Sequence, residues 1–155
     1  MGRIITIITV MITLLAPVSV AQPSEKEWQR LTNEALDHYY YGRNKEAVSV
    51  AREALKEAEA LFGPDDLKVV GAADDLATYL VSTGNIEEAE ALYQRALAIL
   101  QKKLPPDDRY LAIFMDYLAL FYDKIGKNDY AAQLRQQAKA IRGKGKDQAG
   151  QAQQQ

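Results

Sequence analysis

Three acidic pairs are the most chemically suggestive residues in the chain: Asp65-Asp66, Asp74-Asp75 and Asp107-Asp108. Two carboxylates at a fixed separation can divide acid and base roles, as in glycoside hydrolysis. Two of these pairs follow a proline in Pro-Asp-Asp, where helix caps belong. Asp74-Asp75 falls within a helical pattern, where adjacent side chains point about 100° apart. No second group stands beside any pair to complete a dyad. The single His38 makes a multi-histidine metal site impossible, and it reads as a residue packed at a helix end rather than as a base. The chain has no cysteine, which excludes thiol nucleophiles, disulfides, thiolate metal sites and a lipidated N-terminal Cys. Nucleophile elbows, HExxH, Walker and dinucleotide glycine signatures are missing as well. The expectation is a protein that is not an enzyme, with no cofactor and no metal.

The remaining bounds are broad. The 155 residues are 48% apolar and 26% charged, ordinary for one globular domain. A formal charge of −2 and a pI near 5.5 exclude a generic basic footprint for nucleic acid. Residues 1–21 differ from all that follows. Arg3 supplies a positive start, Ile4–Ala16 is uncharged and apolar, Pro17 breaks a helix, and Ser19-Val20-Ala21 offers small residues before Gln22. That pattern predicts a cleaved secretory signal over 1–21. The apolar run is shorter than the roughly 17–25 residues of a membrane-spanning helix. The alternative is an uncleaved N-terminal anchor, since no charge falls between Arg3 and Glu25. In either case residues 22–155 lie outside the cytoplasm, periplasmic or secreted, with no stable membrane insertion after cleavage.

The rest of the chain repeats with a period of 42. Gly42, Gly84 and Gly126 keep that spacing, as do Ala35, Ala77 and Ala119, Ala47, Ala89 and Ala131, and Ala54, Ala96 and Ala138. Four three-rung ladders in one register are not an accident. Each repeat reads as two helices. Val69, Ala73, Leu76, Ala77 and Leu80 form one apolar stripe, and Ile86, Ala89, Leu92, Ala96 and Ile99 form the next. Gly84 stops the first of these, because glycine tolerates the left-handed C-cap. The small residues mark the close crossing of the paired helices, where a larger side chain would force them apart. About three repeats are needed to bury a continuous core. The expected organisation is repeats over about 24–62, 66–104 and 108–142, with a disordered, polar tail over 143–155.

Gly84-x3-Glu88-Ala89-x2-Leu92-Tyr93-x-Arg95-Ala96-Leu97-x-Ile99 resembles a tetratricopeptide repeat. The 42-residue spacing and the Gly63-Pro64-Asp65-Asp66 linker resemble the kinesin-light-chain-like version, longer than the usual 34 residues. The resemblance covers 24–142 and implies an all-α, right-handed α-solenoid of three helix-turn-helix repeats. Repeat one departs from it: Glu34 and His38 stand where repeat two has Leu76 and Leu80.

With Leu76, Ala77 and Leu80 facing the partner helix, Gly71, Asp74, Thr78 and Val81 form a second line. Ile113, Asp116, Leu120 and Asp123 repeat it one period later, and Gln29, Thr32, Leu36 and Tyr39 one period before. The resemblance implies that first helices line a concave groove for an extended peptide or a partner helix. By position its floor is Thr32, Asn33 and Tyr40, then Asp74, Asp75 and Thr78, then Asp116, Tyr117 and Asp123. The family often places Asn at the two central positions; here Thr32-Asn33, Asp74-Asp75 and Asp116-Tyr117 stand there. An acidic floor flanked by tyrosine suits a basic or polar segment. Of Tyr39-Tyr40-Tyr41, one or two rings are expected to cover the end of the core, and Trp28 to cap the open N-terminal face. The function expected is an exported protein-interaction module. The alternative is a self-associating structural solenoid of the cell envelope.

Overall fold

A computed structural model describes residues 22–152; residues 1–21, where the sequence predicts a secretory signal, and residues 153–155 lie outside the described residues. Six helices follow one another without a strand among the described residues: α1 Glu25–Tyr40, α2 Asn44–Phe62, α3 Leu67–Ser82, α4 Ile86–Lys103, α5 Arg109–Lys124 and α6 Asn128–Ala152. They form three antiparallel pairs, each helix packing on the next along the chain, which makes an α-solenoid. No described helix is long and apolar enough to cross a membrane.

The period sets the punctuation. Gly42, Gly84 and Gly126 adopt φ of 71°, 80° and 77°. In each turn the following amide donates to a carbonyl five residues back: Arg43 to His38, Asn85 to Leu80 and Lys127 to Tyr122, all at 2.9 Å. These are Schellman-type closures, and the left-handed residue they require is the reason glycine recurs. The starts of the first helices are capped by side chains. The Asp66 carboxylate accepts from the Lys68 amide at 2.8 Å, and Asp108 from Tyr110 at 2.7 Å. Ser24 does the same for Glu27. One member of each linker acidic pair is therefore a cap.

Ala35, Ala47, Ala77, Ala89, Ala119 and Ala131 are all buried, at the close approaches within the pairs. α3 and α5 bury a full apolar face, whereas α1 buries only Leu31 and Ala35. Glu34 stays polar and half-exposed on α1, and Arg30 bridges it to Glu27. Trp28 is placed differently from expectation. It packs edge-on against Phe62 at 5.2 Å, with the Lys68 ammonium 4.0 Å over the Phe62 ring, and so seals the joint between repeats one and two. The structure also corrects the last boundary: α6 continues to Ala152, where a disordered tail from 143 was expected. Ala, Lys and Gln are good helix formers, and extending a helix already nucleated costs far less than starting one, even across Gly143, Gly145 and Gly150.

Candidate functional site

The first helices present an exposed stripe on α5: Tyr110, Ile113, Tyr117 and Leu120, between 40% and 56% accessible. Spacings of three and four put them on one face. Beside the stripe a cleft of about 430 Å³ opens between α3 and α5. Tyr39, Thr78, Val81, Ser82, Tyr93, Tyr117, Leu120, Phe121, Asp123 and Lys124 line it.

A hydroxyl cluster forms part of the wall. Thr78 Oγ1 lies 3.1 Å from the Tyr93 hydroxyl and 3.0 Å from that of Tyr117, and the two phenols are 3.3 Å apart. The Tyr93 ring is buried and packs on Phe121 at 4.9 Å. Burial pushes its phenol far above the ordinary range, so it stays a neutral donor and acceptor. Tyr93, which lines the cleft, stands one period after Ala51, so a ring replaces a methyl group at the place where the next repeat docks.

Of the expected groove residues, Thr78, Tyr117 and Asp123 meet at this cleft. Thr32 and Asp75 meet elsewhere, on a gap of about 10 Å³ between α1, α2 and α3, too small for a ligand group. The Thr32 hydroxyl turns back to the Trp28 carbonyl at 2.9 Å. Asn33 is exposed away from the cleft lining, and Tyr40 is 78% accessible. In the tyrosine cluster Tyr39 packs on Tyr79 at 4.7 Å; Tyr40 and Tyr41 are largely exposed, Tyr41 with the Arg43 guanidinium 5.1 Å from its ring centre.

The acidic floor is changed by α6. Arg142 pairs with Asp116 and Arg135 with Asp123, so the two floor carboxylates of repeat three are answered within the chain. The Arg135 hydrogen bond holds Asp123 below its ordinary pKa. Asp74 and Asp75 remain. Burial raises both, and Asp74, with Asp75 beside it, is pushed up to about 6. Asp74 Oδ1 is buried without a hydrogen-bond partner, one helical turn before Thr78. No group of three His, Cys, Asp or Glu side chains arranged to hold a metal occurs among the described residues. Reasoning along the first helices missed Tyr93 and Phe121; Tyr93 sits on a second helix, outside the faces that were compared. Val81, Leu120 and Tyr39 were on the second line but not among the floor residues.

Residues 30–102 match the family model described as Tetratricopeptide repeat. The fold is similar to the crystal structure of BtubC (BKLC) from P. vanneervenii, with a TM-score of 0.69 and 25% identity over 79% of this chain and 49% of that one. It is also similar to a Podosopora anserina protein described as a kinesin light chain with nearly identical TPR-like repeats, with a TM-score of 0.67 and 21% identity over 78% of this chain and 58% of that one. This chain thus spans about half the length of the first and under two thirds of the second. No curated protein matches it. With the family match, the 42-residue helix pairs and this architecture in agreement, the repeat array of this chain belongs to the tetratricopeptide repeat family.

Proposed function

We propose that this protein is an exported interaction module that seats a segment of a partner protein in the concave cleft between α3 and α5. The family itself points to protein–protein interaction on a scaffold type without catalytic machinery. The observation that carries the finer reading is the 430 Å³ cleft beside the exposed stripe Tyr110, Ile113, Tyr117 and Leu120. Exposed apolar surface contiguous with a concavity marks a contact site. The partner segment that fits carries a large apolar side chain for the cleft and a basic or polar neighbour that donates to Asp74.

The test is capture from an envelope extract. Leu120→Asp is expected to lower capture of the identified partner at least about tenfold, the scale of one central contact residue, with circular dichroism unchanged. Ala98→Asp, on the exposed side of α4, is expected to leave capture intact. Equal capture by both variants overturns the cleft reading. Export rests on the pattern of residues 1–21, and mass spectrometry of the exported chain is expected to find Gln22 first; a chain retaining 1–21 favours the anchored alternative.

A further inference from the structure

We infer that the junction between repeats two and three is a hinge, on which α5 and α6 swing against α1–α4 and change the width of the concave cleft. The internal period makes the inference possible, because each residue of this junction has a counterpart at the junction between repeats one and two. The two junctions are built differently.

At the first junction α2 meets α3 through Ala51, Ala54 and Ala58, all buried, and the helices lie close along their length. At the second, Tyr93 and Leu100 stand in place of Ala51 and Ala58, and the backbones of α4 and α5 come close at far fewer points. Bulk at the crossing holds helices apart. The space left shows on both sides: the cleft of about 430 Å³ between α3 and α5, and a second of about 200 Å³ where α4 and α5 meet α6.

The polar staples differ in the same sense. Two ion pairs clamp α2 to α4, Arg52 with Glu88 and Arg95 with Glu59, and Arg95 also donates to the Pro64 carbonyl in the linker at 3.0 Å. One period later those positions hold Gln94 with Tyr130, and Gln137 with Gln101. No charge pair can form at either. What ties the second junction is Lys127 on Glu90 near the α5–α6 turn, the Gln94 amide donating to the Tyr122 hydroxyl at 3.0 Å, and the hydroxyl contacts of Tyr117, with no ion pair between α4 and α5 among the described residues. Few close backbone approaches and polar ties at one end describe an element that moves as a body on small rearrangements. The consequence for binding rests on the cleft reading above; the hinge itself does not.

The chain has no cysteine, so spin labels can be placed cleanly. Lys56, Ala98 and Ala140 are equivalent, exposed positions on α2, α4 and α6. Labels at 56 and 98 report the first junction, and labels at 98 and 140 the second. The 98–140 distance distribution is expected to be at least about twofold broader than the 56–98 distribution; equal widths overturn the hinge. Gln101→Glu with Gln137→Arg recreates the Glu59–Arg95 pair one period later and is expected to narrow 98–140 toward 56–98. The reciprocal variant, Glu59→Gln with Arg95→Gln, is expected to broaden 56–98. If neither distribution responds, the staples are not what distinguishes the junctions and the inference falls. If the widths respond while stapling leaves partner capture unchanged, the hinge stands and the cleft reading fails.

Discussion

Asp74 is the residue whose chemistry is most altered by the fold. Its carboxylate is raised to about 6 by burial and then by Asp75, and its Oδ1 has no donor. A carboxyl raised in the folded state stabilises below its unfolded pKa and loses that stability as pH rises through the folded one. For Asp74 the window runs from about pH 4 to about pH 6. Asp74→Asn is therefore expected to raise the melting temperature at pH 7 and to leave it unchanged at pH 4. The gain is on the order of 1–2 kcal/mol, below the full value of the shift because the side chain is partly solvated. Calorimetry at the two pH values checks it; an equal effect at both means that the charge of Asp74 is not the cost. The same substitution should weaken capture of a Lys- or Arg-bearing segment, chiefly at low salt, where the charge of a half-buried carboxylate is least screened. The acidic pattern was legible in the sequence, but its neutralisation was not. Arg135 and Arg142 lie 12 and 26 residues from the aspartates they answer, far outside the three- and four-residue spacings that can be read from one helix.

Between helices, the alanine ladders set the distances. Ala77 and Ala89 are both fully enclosed in the core that α3 and α4 share. Ala89→Leu is expected to cost about 1–3 kcal/mol through overpacking, whereas Ala98→Leu, on an exposed face, should fall within about 0.5 kcal/mol of neutral. Denaturant unfolding separates the two, and equal costs would mean that the small residues do not set the crossing. The element boundaries were the most legible feature of this chain, because helix starts and stops are local. Ser24, Asp66 and Asp108 cap, and the glycines at 42, 84 and 126 close the turns. The end of α6 was less so: composition after Arg142 favours solvation, while propensity carries the helix on to Ala152. The asymmetry between the two junctions was also hidden. A strict period implies equal interfaces, and only packing shows what Tyr93 in place of Ala51 does to the space around it.

For the whole molecule the question is whether the solenoid can grow by stacking copies end to end. Its two ends answer through the same period. The face by which α3 docks on α2 is Val69, Ala72, Leu76 and Tyr79, all buried; on α1 the corresponding residues are Glu27, Arg30, Glu34 and Asp37. Arg30 pairs with Glu27 and Glu34, so the first face is charged and internally satisfied. At the other end Tyr93, Leu97 and Leu100 of α4 become Arg135, Lys139 and Arg142 of α6, and two of these reach back to α5. Stacking would strip water from these groups without supplying better partners, a cost that apolar contact cannot offset here. Polar outer faces on terminal repeats are what closes such arrays. Residues 22–155 are therefore expected to scatter light as a monomer across a wide concentration range. Giving α1 the docking face of α3, through Arg30→Ala, Glu34→Leu and Asp37→Tyr, should leave helicity intact and produce concentration-dependent association. A wild-type chain that already associates as concentration rises would overturn the closed-end argument and favour the structural-solenoid alternative; a monomeric triple variant would show that charge at α1 is not what keeps the ends apart.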